Sequence, residues 1–167
     1  MSLAQLPAAV ESAVATLARL LDAPATLVTR CYVGWVFVHS GILKVSDWEQ
    51  TLTLFETEYR VPLLSPHLAA WFGAGGELAF GALVILGLAG RSSALALSAV
   101  NAMAVISYRH VLFGDGFEAA LGQHLLWAVL LAALFIHGPG RWSADGLALA
   151  VRGKARFDAE SPAGSRG

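Results

Sequence analysis

Four stretches of the chain stay apolar, almost without interruption, over the roughly 20 residues that a helix needs to cross a bilayer. They run from Pro24 to Val45, Pro66 to Leu88, Ser92 to Leu112 and Glu118 to His137. The fourth holds no Asp, Glu, Lys or Arg between Ala119 and His137. The first is bracketed by Arg30 and Lys44, whose long side chains can snorkel towards headgroups, and its start at Pro24 suits a helix entry. Ala89-Gly90-Arg91 joins the second stretch to the third, and a link containing Gly114-Asp115-Gly116 joins the third to the fourth. Links this short make antiparallel neighbours.

Weaker patterns flank these spans. Leu3, Leu6, Val10, Val14, Leu17 and Leu21 recur at helical spacing and predict an amphipathic helix over residues 1–23. It lacks the basic start of a secretory signal and is expected to be retained. Trp48, Leu52 and Phe55, set against Asp47, Glu49, Glu56 and Glu58, predict an interfacial amphipathic helix that ends before Val61-Pro62. Residues 143–167 read as a tail, disordered after Arg152. The predicted architecture is all-α: a four-transmembrane-helix bundle over residues 24–142 with flanking interfacial amphipathic helices.

Composition agrees with this pattern. Of the 167 residues 56% are hydrophobic and 14% charged, against roughly 25% charged in soluble domains, and mean hydropathy is +0.62. One domain's length with so little charge to wet a surface points to an integral membrane protein. A net charge of −1 provides no basic footprint for nucleic acid. Cys31 is the one cysteine, which excludes an intramolecular disulfide, a CxxC pair and a cysteine-only metal site. With four spans, Arg19, Arg30, Arg91, Arg141, Arg152, Lys154, Arg156 and Arg166 fall on one side, and Lys44, Arg60 and Arg109 on the other. That asymmetry predicts cytoplasmic termini in a bacterial inner membrane.

Polar groups inside apolar spans need a partner or a wet cavity. Glu77 lies roughly 16 Å from either end of its span by helical rise. Lys44 and Glu77 sit on antiparallel helices whose side chains lean towards their own N-termini, so the two converge, directly or through water or a ligand. Arg30, Gly34, Phe37, Gly41 and Lys44 share one helix face, with two small residues for close packing, and His39 lies opposite. Ser98, Asn101 and Tyr108 form a polar line on the third span, and His110 and His124 complete the set. A carboxyl, imidazole and amide around a lipid-facing cavity suit quinone carbonyls and proton passage. His39, His110 and His124 with Glu77 suit copper, zinc or iron by ligand type, although no His-x-x-x-His or Glu-x-x-His spacing is present. Structural hydrogen bonding between helices is the alternative for Glu77, His124 and Asn101. No Gly-x-Ser-x-Gly, zinc-protease box or phosphate loop occurs.

The run Arg30-x3-Gly34-x2-Phe37-x3-Gly41-x2-Lys44, followed by Pro66-x10-Glu77-x3-Gly81-x5-Gly87-x3-Arg91, resembles the DoxX family of small four-helix membrane proteins. The resemblance covers about Thr29 to Arg141. Glu58-Tyr59-Arg60-Val61-Pro62-Leu63-Leu64 and His124-Leu125-Leu126-Trp127 resemble a subgroup associated with small copper-handling secreted proteins. The family takes its name from a subunit of a thiosulfate:quinone oxidoreductase, and other members are linked to membrane redox and thiol-stress complexes. The resemblance implies a redox-associated membrane subunit, any catalytic role being that of a subunit in an oxidoreductase assembly, because this chain lacks a redox cysteine pair and a haem motif. The residues expected to do chemistry are Glu77, Lys44 and His124, with Asn101, Tyr108 and Arg30 holding a quinone or similar lipophilic cofactor. The expected surroundings are the lipid bilayer, a periplasmic or membrane redox protein, and a second copy in a homo-oligomer. Copper handling through His39, His110 and His124, and a scaffold that only anchors partners, are the alternatives.

Overall fold

The structure, a computed structural model, describes residues 5–160. Among them every regular element is helical: α1 (Gln5–Ser46), α2 (Trp48–Thr57), α3 (Pro66–Leu86), α4 (Gly90–Ser107), α5 (Arg109–Leu112), α6 (Glu118–His137) and α7 (Ala144–Glu160). The second half of α1 packs against α3, α3 against α4, α4 against α6, and α6 back against α1, which closes a ring of four helices. The core inside it comprises Val33, Phe37, Val84, Ala94, Leu97, Leu131 and Leu134.

Local chemistry sets the ends of α3. The Ser65 side chain accepts from the Leu68 N–H, Pro66 opens the helix, and Gly87 closes it at φ 67°. Close approach of α1 and α3 depends on glycine. A Cβ on Gly34 would stand 2.8 Å from the Gly81 carbonyl oxygen, and one on Gly81 would stand 3.0 Å from the Gly34 carbonyl oxygen. The small-residue face expected on the first span is therefore where two backbones touch.

Three sequence expectations change. The expected break between residues 1–23 and the first span is absent: α1 runs unbroken for 42 residues through Pro24. Proline removes one helical hydrogen bond, and two residues on, the Thr26 hydroxyl donates to the Asp22 carbonyl. Of the N-terminal apolar stripe, Leu3 lies outside the described residues; Val10, Val14, Leu17 and Leu21 are exposed. The third span does not continue to Leu112, because Arg60 N–H donates to the Ser107 carbonyl at 3.0 Å and takes that acceptor out of the helical ladder. Tyr108 ends α4, and α5 follows as a separate turn. The tail, expected to lose structure after Arg152, is helical to Glu160.

The apolar side of α2 docks on α3. Phe55 is buried with Ala69 and Ala70, and Trp48, Leu52, Tyr59 and Val61 pack around them. Asp47 caps α2 by accepting from the Gln50 N–H at 3.0 Å, and the Thr51 hydroxyl ties it to the Lys44 carbonyl at 2.8 Å. The link after α2 thereby lies over the Lys44 end of the ring.

Candidate functional site

Lys44 stands in the last turn of α1 and points back along its helix. Its Nζ donates to Glu77 Oε1 at 2.9 Å, to Glu77 Oε2 at 2.8 Å and to Ser40 Oγ at 2.8 Å. The convergence expected from antiparallel side-chain lean is direct, and all three ammonium protons have acceptors. Glu77 is 7% exposed. This is the one ion pair among the described residues.

The pair forms part of the wall of two cavities. The larger, about 420 Å3, lies between α2, α3 and α4 and is bounded by Tyr59, Phe72, Phe80, Ala99 and Met103, with Lys44 and Glu77 supplying its charge. Phe72 and Met103 are themselves exposed, so this cavity opens on the outer face of the ring. The smaller, about 170 Å3, lies inside the ring and is bounded by Ser40, Tyr59, Tyr108, His124 and Trp127 together with Lys44 and Glu77. A mostly apolar chamber and a polar one thus share a single buried carboxylate–ammonium pair.

Asn101 and His124 clamp α4 to α6. Asn101 Nδ2 donates to the His124 carbonyl at 3.0 Å, and Asn101 Oδ1 lies 2.8 Å from His124 Nδ1. A carbonyl only accepts, which fixes the amide's orientation; Oδ1 then requires a proton on Nδ1. The neutral imidazole retains Nε2 as an acceptor, so His124 becomes a second donor only when protonated. Asn101 is 3% exposed and spends its amide on this clamp. The Trp127 ring meets His124 edge-on at 4.9 Å, and its Nε1 is buried without a partner.

Tyr59 bounds both cavities, although in the sequence it figures only within the run from Glu58 to Leu64. It stacks between Phe55, at 4.7 Å, and Tyr108, at 5.0 Å. Burial foremost, then the negative Glu77 carboxylate and Tyr108, raise its hydroxyl above the ordinary value of 10.0. The fold therefore favours the neutral phenol. This contribution to stability is complete below the unfolded value near pH 10 and is lost as pH rises through the folded one. Alkaline titration of phenol absorbance is expected to show a step above pH 10 that Tyr59→Phe removes; superimposable curves for the two proteins would contradict it.

The remaining predicted site residues lie elsewhere. Arg30, expected to help hold a cofactor, is at the opposite end of the ring. It is 2% exposed, and its guanidinium donates to the Ile85 carbonyl at 3.2 Å and to the Trp142 carbonyl. Since α3 ends beside it, Arg30 caps that helix and binds the residue 138–143 link. His39 is exposed and faces away from the ring, 6.0 Å from the Trp35 ring. His110 is exposed on α5, against Tyr108. Among the described residues no group of three or more His, Cys, Asp or Glu could hold a metal. His39, His110 and His124 do not converge, because they occupy an outer face, a rim and an inner face.

Comparison with known families matches residues 25–110 to DoxX. The chain belongs to the DoxX family. The matched stretch contains Arg30, Lys44, Glu77 and the α1–α3 contact glycines Gly34 and Gly81, with Gly41 against Leu78, so this DoxX protein carries its ion pair and its close helix packing within the family's own region. Membership places it among membrane proteins. Neither curated proteins nor solved structures give a match.

Proposed function

We propose that this DoxX protein spans the bacterial inner membrane with the four helices of its ring and takes a lipophilic molecule with a polar head, of the quinone class, into the larger cavity. The observation that carries the reading is the Lys44–Glu77 pair set in the wall of an otherwise apolar chamber that opens outward. Membrane embedding has separate support. α3 and α6 are long and apolar enough to cross a bilayer, and α6 buries only Leu131 and Leu134. Large apolar side chains such as Val28, Trp35, Phe72, Leu95 and Val129 are exposed around the ring. The distribution of Lys and Arg favours cytoplasmic termini, with the Lys44 end towards the periplasm and a redox partner there.

The residues fit such a ligand. Aromatic and methionine side chains receive a ring and tail, and the polar atoms are confined to one wall. A quinone supplies exchange of two electrons and two protons at its carbonyl oxygens. Lys44 offers an ammonium to an oxygen that approaches the pair, and Tyr59 a neutral hydroxyl. Glu77 can hold a proton once its bond to Lys44 is shared with a ligand. Behind it, the smaller chamber with His124 gives that proton polar surroundings. The chain acts in this reading as a subunit of a redox assembly.

Ala99 bounds the larger cavity and is exposed, so Ala99→Trp fills the entrance without touching the ion pair. Titration of the detergent-purified chain with a short-tailed quinone is expected to show roughly tenfold or greater loss of affinity in Ala99→Trp. Unchanged affinity in a folded variant would refute this cavity as the site.

A further inference from the structure

A third cavity, about 220 Å3, is bounded by Arg60, Pro62, Ile106, Ser107, Arg109 and His110. It contains three basic side chains and no carboxylate. The loops and helix ends on this side of the ring carry Asp47, Glu49, Glu56, Glu58, Asp115 and Glu118. Despite that supply of acids, the one ion pair among the described residues is Lys44–Glu77, so neither arginine is neutralised by a carboxylate.

Backbone structure gathers these bases before any ligand arrives. The Arg60 N–H donates to the Ser107 carbonyl at 3.0 Å, which joins the link after α2 to the end of α4. The same bond ends α4, and the chain restarts as α5 with Arg109 and His110. Pro62 restricts the link on one side, and the Tyr108 ring lies edge-on to His110 at 5.7 Å on the other. Two guanidinium groups with an imidazole beside them suit the oxygens of a phosphate, to which arginine donates in pairs. Pro62 and Ile106 add an apolar wall. The neighbouring Trp48–Trp71 pair, with ring centroids 4.6 Å apart, marks the same end of the ring as a level where tryptophan meets headgroups.

We propose that Arg60, Arg109 and His110 form a phosphate-binding site that takes the headgroup phosphate of an anionic phospholipid. A zwitterionic lipid would bring its own cation to the two arginines and bind less well. The site is separate from the Lys44–Glu77 pair. It rests on the proposed membrane embedding only for the choice of a lipid over free phosphate.

Native mass spectrometry of the full chain in mild detergent tests this, with phosphatidylglycerol, phosphatidylcholine and inorganic phosphate as probes. Phosphatidylglycerol is expected to bind more tightly than phosphatidylcholine. Arg60→Gln/Arg109→Gln is expected to weaken it by roughly tenfold or more, since each arginine near an anionic lipid surface adds about fivefold. Arg60→Lys/Arg109→Lys, which keeps both charges, restores most of the binding, and Glu77→Gln leaves it unchanged. Displacement of the lipid by millimolar inorganic phosphate would support the phosphate site and assign it a soluble ligand. Equal binding of the two lipids, or phosphatidylglycerol binding indifferent to both arginines, would overturn the proposal. The Glu77→Gln control keeps this outcome distinct from failure of the quinone reading.

Discussion

Replacing Lys44 by Met is expected to destabilise the protein by about 3 kcal/mol, because it strands a carboxylate that the fold has already taken from water. Glu77 is 7% exposed, and the Lys44 ammonium supplies a hydrogen bond to each of its oxygens. The stranded group can respond only by taking up a proton or drawing in water, and either costs free energy. Glu77→Gln is expected to do less harm, since an amide oxygen still accepts from Nζ. The informative partner is Lys44→Met/Glu77→Leu, which removes both charges and is expected to recover most of the loss. Equilibrium unfolding in mixed micelles of the wild type, Lys44→Met, Glu77→Leu and the double variant closes the cycle. Strict addition of the two single effects would show that the pair does not act as a unit.

The second large effect is expected at the other end of the ring. Gly87 ends α3 at φ 67°, and a Cβ placed there would fall on Arg30 Nη1 and on the Ser143 Cβ. A side chain at this φ costs roughly 1–2 kcal/mol before any collision. Gly87→Val must also push the buried guanidinium off the Ile85 and Trp142 carbonyls, which leaves a charge unpartnered. The expected result is the loss of monodisperse protein on size exclusion, with Gly87→Ala intermediate. Gly87→Ala/Arg30→Met, which frees the space and removes the charge, is expected to be better behaved than Gly87→Ala. A normal yield of Gly87→Val would show that Arg30 does not hold these segments together.

Which parts of this were legible in the sequence follows from the range of the forces involved. Helical periodicity and span length located α3 and α6 to within a few residues, since local propensity, Ser65 and Gly87 agree there. The Lys44–Glu77 pair was readable because two antiparallel helices and the lean of their side chains fix where a lysine and a glutamate point. The break after Ser107 was not readable. It depends on a hydrogen bond from Arg60, 47 residues away, which no local pattern encodes. The same distance hid Tyr59, whose place in both cavities follows from α2 folding over α3. Arg30 was read as a charge that snorkels to headgroups or helps hold a cofactor; its burial was not legible, because its acceptors are backbone carbonyls, which every residue has. Ligand type alone united His39, His110 and His124, and helix faces separate them.

In the proposed function the Lys44–Glu77 pair anchors a lipophilic molecule in the larger cavity. Mass spectrometry of lipids and metals that co-purify with the chain in mild detergent tests it most directly, comparing wild type with Glu77→Gln. A quinone retained by the wild type and depleted in a folded Glu77→Gln protein is the predicted result. Equal quinone content in the two proteins, or copper retained in its place, would contradict the account.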